Sequence, residues 1–177
     1  MKKIFTVLVS LIVLTFCGCA KNFTINENVE KVDTNLTNDE KTAKADIEKR
    51  GYNIIEYKGQ IDKYKLDKSK IFGGTETTPY QQVWGVQSIS PDDYFGKEII
   101  TYEFIVNNHP LQKVDSHAKN GVRLYYMFSD GKIIGGFSYP NEDVYGAVSS
   151  LEGKSLEEVT GLTFSKWSEE WTNKYSQ

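Results

Sequence analysis

The chain has 177 residues, of which 39% are apolar and 25% charged, and a formal net charge of −3. That composition suits a soluble globular domain, and the lack of a positive excess argues against nucleic acid as a partner and against electrostatic adhesion to anionic lipid. The two cysteines, Cys17 and Cys19, both lie near the N-terminus. The remainder of the chain therefore has no disulfide and no thiolate metal ligand to draw on.

Met1-Lys2-Lys3 is a short positive segment, and residues 4–16 form an apolar run interrupted only by Thr6, Ser10 and Thr15. The run is too short for a comfortable membrane span and fits the apolar core of a signal peptide. Gly18-Cys19 follows and resembles the bacterial lipobox, in which a small residue precedes an obligatory cysteine; Phe16 stands where leucine is usual. Cys17 is the poorer candidate, because bulky Phe16 precedes it. Residues 1–18 are thus expected to be a lipoprotein signal peptide. Cys19 is the expected lipidation site, carrying a thioether-linked diacylglycerol and a further acyl chain such as palmitate on its amine. Two or more chains hold firmly where one is marginal, so the expected location is the extracytoplasmic face of the cell membrane. Loss of Lys2 and Lys3 with the leader leaves 19 basic against 24 acidic residues.

Residues 19–36, the lipidated cysteine and a stretch rich in Asn, Thr, Glu, Lys and Asp, read as a flexible tether. A random coil of that length spans on the order of 20–25 Å. Residues 37–177 read as one α+β domain. Thr37 with Glu40 three later is a capping box for a helix ending near Arg50, with Gly51 as its left-handed cap. Residues 52–57 and 60–66 read as two strands joined by a hairpin turn at Lys58-Gly59, setting Ile54 opposite Lys63 or Tyr64. A polar connection over 67–78 leads to another expected strand over 82–88, around Val83, Trp84 and Val86. Ser90-Pro91-Asp92-Asp93 opens a helical turn.

Residues 99–106 alternate as a strand, with Ile100, Tyr102, Phe104 and Val106 on one face and Thr101 and Glu103 on the other. Residues 109–120 read as a polar loop. Asp130-Gly131 marks a type I′ hairpin; counting outward pairs Phe128 with Ile133, Tyr126 with Gly135, Leu124 with Phe137 and Val122 with Tyr139. Gly135-Gly136 reads as a packing site or bulge rather than a ligand loop. A strand over 145–151 and a short helix capped by Ser155 follow. Thr163 then caps an amphipathic helix on which Phe164, Trp167, Trp171 and Tyr175 form one core-facing stripe. The sum is a mainly antiparallel sheet with an N-terminal helix and a C-terminal amphipathic helix packed on it.

Catalytic signatures are missing from the sequence. His109 and His117, the only histidines, stand in a polar segment without a ligand pattern and read as surface residues. Asp92-Asp93 fits helix-start chemistry better than an acid–base pair, and Glu157-Glu158 and Glu169-Glu170 read as solvated helix faces. No catalytic residue, cofactor or metal ligand is assigned. Tyr80, Tyr94, Tyr125 and Tyr145 fall outside the core pattern, where exposed rings could stack on sugars.

Tyr57 with Tyr64, Trp84-Gly85-Val86-Gln87, residues 91–97 (PDDYFGK), Asn108-His109-Pro110-Leu111, residues 130–136 (DGKIIGG) and residues 151–158 (LEGKSLEE) carry a resemblance. Together they resemble small lipoproteins of Gram-positive bacteria in the domain of unknown function 4830 family, over about residues 45–175. The resemblance implies no activity, so no catalytic residue is carried over. The expected role is a non-enzymatic binding or accessory module of the cell envelope, held to the membrane through Cys19, with an envelope protein or glycan as partner and no nucleic acid. A small envelope enzyme and a glycan-binding module are the alternatives.

Overall fold

The computed structural model describes residues 36–143 and 146–176. The signal peptide, Cys19 and nearly all of the tether lie outside the described residues, as does Tyr145. From Asn35 onward the chain forms one compact unit with both of its hydrophobic cores internal. It therefore contains what an independently folding domain requires.

Five antiparallel strands form one sheet in the order β1 (Asn53–Lys65), β2 (Glu98–Asn107), β3 (Val122–Ser129), β4 (Lys132–Pro140) and β5 (Ser149–Ser150). Helix α1 (Asn38–Lys49) begins on the expected Thr37–Glu40 capping box and ends before Gly51 at φ +79°. It buries Ala43 and Ile47 on one face of the sheet, against Tyr102, Phe104, Val106, Leu124, Tyr126 and Phe128. The fold class is the α+β one expected.

Two expected elements are replaced. The residue 52–66 segment is not a hairpin. It is one edge strand, β1, that slips register against β2 three times, between Ile54 and Glu56, Tyr57 and Gly59, and Gln60 and Asp62. Each slip inserts one extra residue, so Ile54, Tyr57, Gln60 and Lys63 share the α1 face at a spacing of three. Gly59 at φ +91° serves a slip rather than a turn. Ile54 accordingly pairs with Val106, and neither Lys63 nor Tyr64 lies opposite it.

The strand expected over 82–88 is helix α3 (Thr78–Gly85), preceded by α2 (Lys68–Ile71). Pro79 in the first turn suits a helix start. Tyr80, Val83 and Trp84 then stand at i, i+3 and i+4, a helical spacing that outweighs the β-branched residues nearby.

The Asp130-Gly131 turn has positive φ at both residues, +51° and +71°, as type I′ requires. Phe128 pairs with Ile133 as expected, but Ile134 is an extra residue, so Tyr126 faces Gly136, Leu124 faces Ser138 and Val122 faces Pro140. Gly136 must lack a side chain: a Cβ there would lie 2.1 Å from the Tyr125 carbonyl oxygen. The Gln87 amide caps this open edge of β4, accepting from the Gly136 N–H at 2.9 Å and donating to its carbonyl at 3.0 Å.

Residues 109–120 contain α4 (Leu111–Val114) and a 3-10 turn, and the strand expected over 145–151 shrinks to β5. Helices α5 (Leu156–Thr160) and α6 (Phe164–Tyr175) close the chain, the first on a Ser155–Glu158 capping box. With α3, α6 covers part of the second sheet face, where Trp84, Trp167, Trp171 and Tyr175 pack on Ile99 and Met127. Phe164 departs from the expected stripe. It is 62% exposed, one turn before the buried tryptophans.

Candidate functional site

The second sheet face is covered only in part. Where α3 ends its cover, a groove of about 710 Å³ opens between α3 and strands β1, β2 and β4, within the size range of ligand sites. One wall is Tyr64 and Tyr80, ring centroids 4.9 Å apart and edge to face. The Trp84 Nε1–H donates to the Tyr64 hydroxyl at 3.1 Å, and burial lifts the pKa of that phenol.

The opposite wall is Phe137 and Tyr139. Tyr125 stacks on Phe137 at 4.4 Å, nearly parallel, and holds that ring in place. Burial, with Glu103 nearby, pushes the Tyr125 phenol up to about 12. Thr101 lines the groove from β2, and Ile61 from a register slip of β1.

The charge inventory is short. Among the described residues Asp62 is the one carboxylate lining the groove, and neither lysine nor arginine lines it. The Lys63 N–H donates to Asp62 Oδ1 at 2.8 Å. Burial raises the Tyr80 pKa, and the nearby Asp62 carboxylate adds to that rise. Outside the groove, Lys70 Nζ sits 4.9 Å from the Tyr80 centroid and 5.9 Å from that of Tyr64. Thr75, Thr78 and Gln82 complete the rim with neutral polar groups.

Other sequence candidates go elsewhere. His109 is not a surface residue: it is 1% exposed. Its Nδ1 accepts from the Leu111 N–H at 3.2 Å and its Nε2 lies 2.9 Å from the Leu151 carbonyl, the donor–acceptor pattern of a neutral ring. Burial lowers its pKa. The Asn108-His109-Pro110 turn carries the ring inward, beside Tyr52 at 4.7 Å.

His117 is exposed and stands 3.0 Å from Asp115 Oδ1. Among the described residues no three His, Cys, Asp or Glu side chains are grouped to hold a metal. Asp92 pairs with Lys174 at 2.6 Å; burial would raise its pKa, but hydrogen bonds from Lys174 and Tyr175 hold it low. Glu158 is spent on the Ser155 cap.

Of the four tyrosines singled out, Tyr80 lines the groove, Tyr125 supports it, and Tyr94 packs on Trp84 at 5.9 Å. Their flanking partners Asp62, Tyr64, Phe137 and Tyr139 had no sequence signal as a group, because three register slips and a bulge bring them together. A smaller cavity of about 320 Å³ adjoins Glu152 and Arg50, whose guanidinium is committed to both Glu152 and Asp46. Among the described residues no helix is long and apolar enough to cross a membrane. Comparison with known protein families, with curated proteins and with solved structures found no match.

Proposed function

We propose that this chain is a ligand-binding module of the cell envelope, akin to the small Gram-positive lipoproteins it resembles. Lipid on Cys19 tethers it to the membrane, and the groove is its binding site. One observation carries the reading: a stretch of sheet face with aromatic walls and, among the described residues, a single lining carboxylate lies open beside the packed tryptophan cluster, and its volume exceeds that of the cavity beside Arg50 and Glu152. Apolar walls with a few convergent polar groups are the usual make-up of a binding pocket. A small envelope enzyme would call for an acid and a base poised to exchange a proton on one cavity; beside Asp62 the groove supplies the Tyr64 and Tyr80 phenols, whose pKa values burial raises.

A photo-crosslinking amino acid placed at Gln82 in intact cells tests the site, with Lys132 on the β3–β4 turn as control. The expected adduct forms from position 82 alone and disappears when Tyr80→Ala is added. Equal adducts from both positions, or none, would remove the groove from the reading. Anchoring is tested separately by Cys19→Ser, which should abolish incorporation of a fatty-acid probe.

A further inference from the structure

The groove's chemistry narrows the class of ligand, on the premise that the groove is the binding site. Among the described residues no lysine or arginine lines it, so a phosphate or carboxylate ligand would meet Asp62 inside the groove, with Lys70, outside the lining and already seated against the Tyr80 ring, as its partial counter-charge. A cationic ligand would ordinarily suit aromatic walls with a carboxylate. Here Lys70 already holds an ammonium 4.9 Å from the Tyr80 centroid, and it would repel a second cation. A wholly apolar ligand would strip water from Asp62 and the rim threonines and return no hydrogen bond.

What remains is a neutral molecule with apolar faces and hydroxyl edges. We infer that the groove takes a neutral carbohydrate, its ring faces lying against Tyr80 and Phe137 and its hydroxyls reaching Asp62, Gln82 and Thr78. An ionised carboxylate accepts about four hydrogen bonds. Asp62 accepts one from its neighbour's N–H, which leaves room for ligand hydroxyls. The rings do not form a flat platform: Tyr64 and Tyr80 meet at 69°. The ligand is therefore enclosed between walls rather than laid on a surface.

The test titrates the chain from Asn35 to Gln177 with cellotetraose, chitotetraose and maltotetraose. Choline, laurate and inorganic phosphate serve as contrasting probes, and tyrosine fluorescence and amide resonances are the readouts. At least one tetrasaccharide is expected to saturate and to shift resonances of residues 78–83 and 137–139. Asp62→Asn, which keeps the side chain's shape, should weaken it roughly tenfold or more, the worth of a charge-assisted hydrogen bond. Tyr80→Ala should weaken it comparably while melting close to the parent.

Saturation by choline, laurate or phosphate with none by a sugar would overturn the carbohydrate assignment and leave the groove a binding site. Sugar binding that both variants retain would place the sugar elsewhere on the molecule and overturn it too. Binding by no probe would also overturn it, and the Gln82 crosslink then decides separately whether the groove binds anything.

Discussion

The two faces of the sheet are built from the same strands and finished differently. On the α1 face, apolar packing is locked by polar ties. The Tyr126 hydroxyl donates to Asp46 Oδ2 at 2.7 Å, Arg50 Nε donates to the same oxygen at 2.6 Å, and Arg50 also binds Glu152 beyond β5. Burial would raise the Asp46 pKa, but Arg50 and Tyr126 together hold it below the usual carboxylate range. Tyr57 donates to Glu40 at the far end of the same helix.

The α6 face is closed only where the tryptophans lie. Beyond Thr101 it leaves aromatic rings half-exposed around the groove. The contrast separates two uses of an aromatic residue. A ring that holds the fold is covered and partnered on every side; a ring that can hold a ligand is fixed from behind and open in front.

The largest test of that contrast is in the closed half of the α6 face. Trp171 is 8% exposed and its Nε1–H donates to the Ile71 carbonyl at 2.9 Å. Trp171→Ala should cost about 3–5 kcal/mol, the range for removing a large buried aromatic, measured by denaturant unfolding of residues 35–177. A loss below roughly 1 kcal/mol would mean that this half is open as well, and the distinction between the halves would collapse.

Next in size is His109, at the end of the α1 face. His109→Ala empties a buried site and leaves the Leu111 N–H and Leu151 carbonyl without the ring, so about 2–3 kcal/mol should be lost. His117→Ala, at an exposed position, should stay within about 0.5 kcal/mol. A sequence reading that treats both histidines as surface residues expects neither to matter, so the pair of variants discriminates.

The same residue gives a pH signature. Folded His109 has a lowered pKa, with burial as its first cause; Glu152 pulls it up and Arg50 pushes it down. The unfolded chain, with an ordinary histidine pKa of about 6.5, takes up the proton first as pH falls. Stability is then full above that value and declines on acidification until the folded ring also titrates. Asp46 and Glu152, both held low in the fold, add a separate loss that begins only near the unfolded carboxylate values of about 4–4.5. Unfolding curves from pH 8 to pH 5 should show a decline in the parent that His109→Ala lacks. An identical decline in both would assign the effect elsewhere.

How much of this could be read from the chain follows from the range of each signal. Capping boxes at Thr37 and Ser155, the Thr163 cap and the Asp130-Gly131 turn are contained within a few residues, and all appear in the structure. The α1 face of β2 was legible too, since Tyr102, Phe104 and Val106 lie in that core with Ile100 packed against it. Strand β1 was not, because three slips turn the period of two into a period of three, and Gly59 imitates a turn. The single bulge at Ile134 shifts every later β3–β4 pair by one residue. The burial of His109 was hidden for a different reason. Its neighbours Asn108, Gln112 and Lys113 are polar, and nothing in that run announces the positive φ of Asn108, +63°, at the turn before it. The groove inherits these difficulties, since Asp62, Thr101 and Phe137 become neighbours only after the slips are in place.

The smallest expected effect is the most direct probe of the open half. Ile61 is the extra residue of one register slip and lines the groove, and it remains 47% exposed. A side chain that is half in water has little burial to lose, and no closed cavity forms when it is shortened. Ile61→Ser should therefore change stability by no more than about 0.5–1 kcal/mol, against the several kcal/mol typical of a buried aliphatic. If the groove is the binding site, the same variant should still reduce binding of a saturating ligand, because the apolar wall has been made polar. A stability loss above about 2 kcal/mol would show that Ile61 belongs to a closed core. The groove would then be filled by the chain's own side chains in solution, and both faces of the sheet would serve the fold alone.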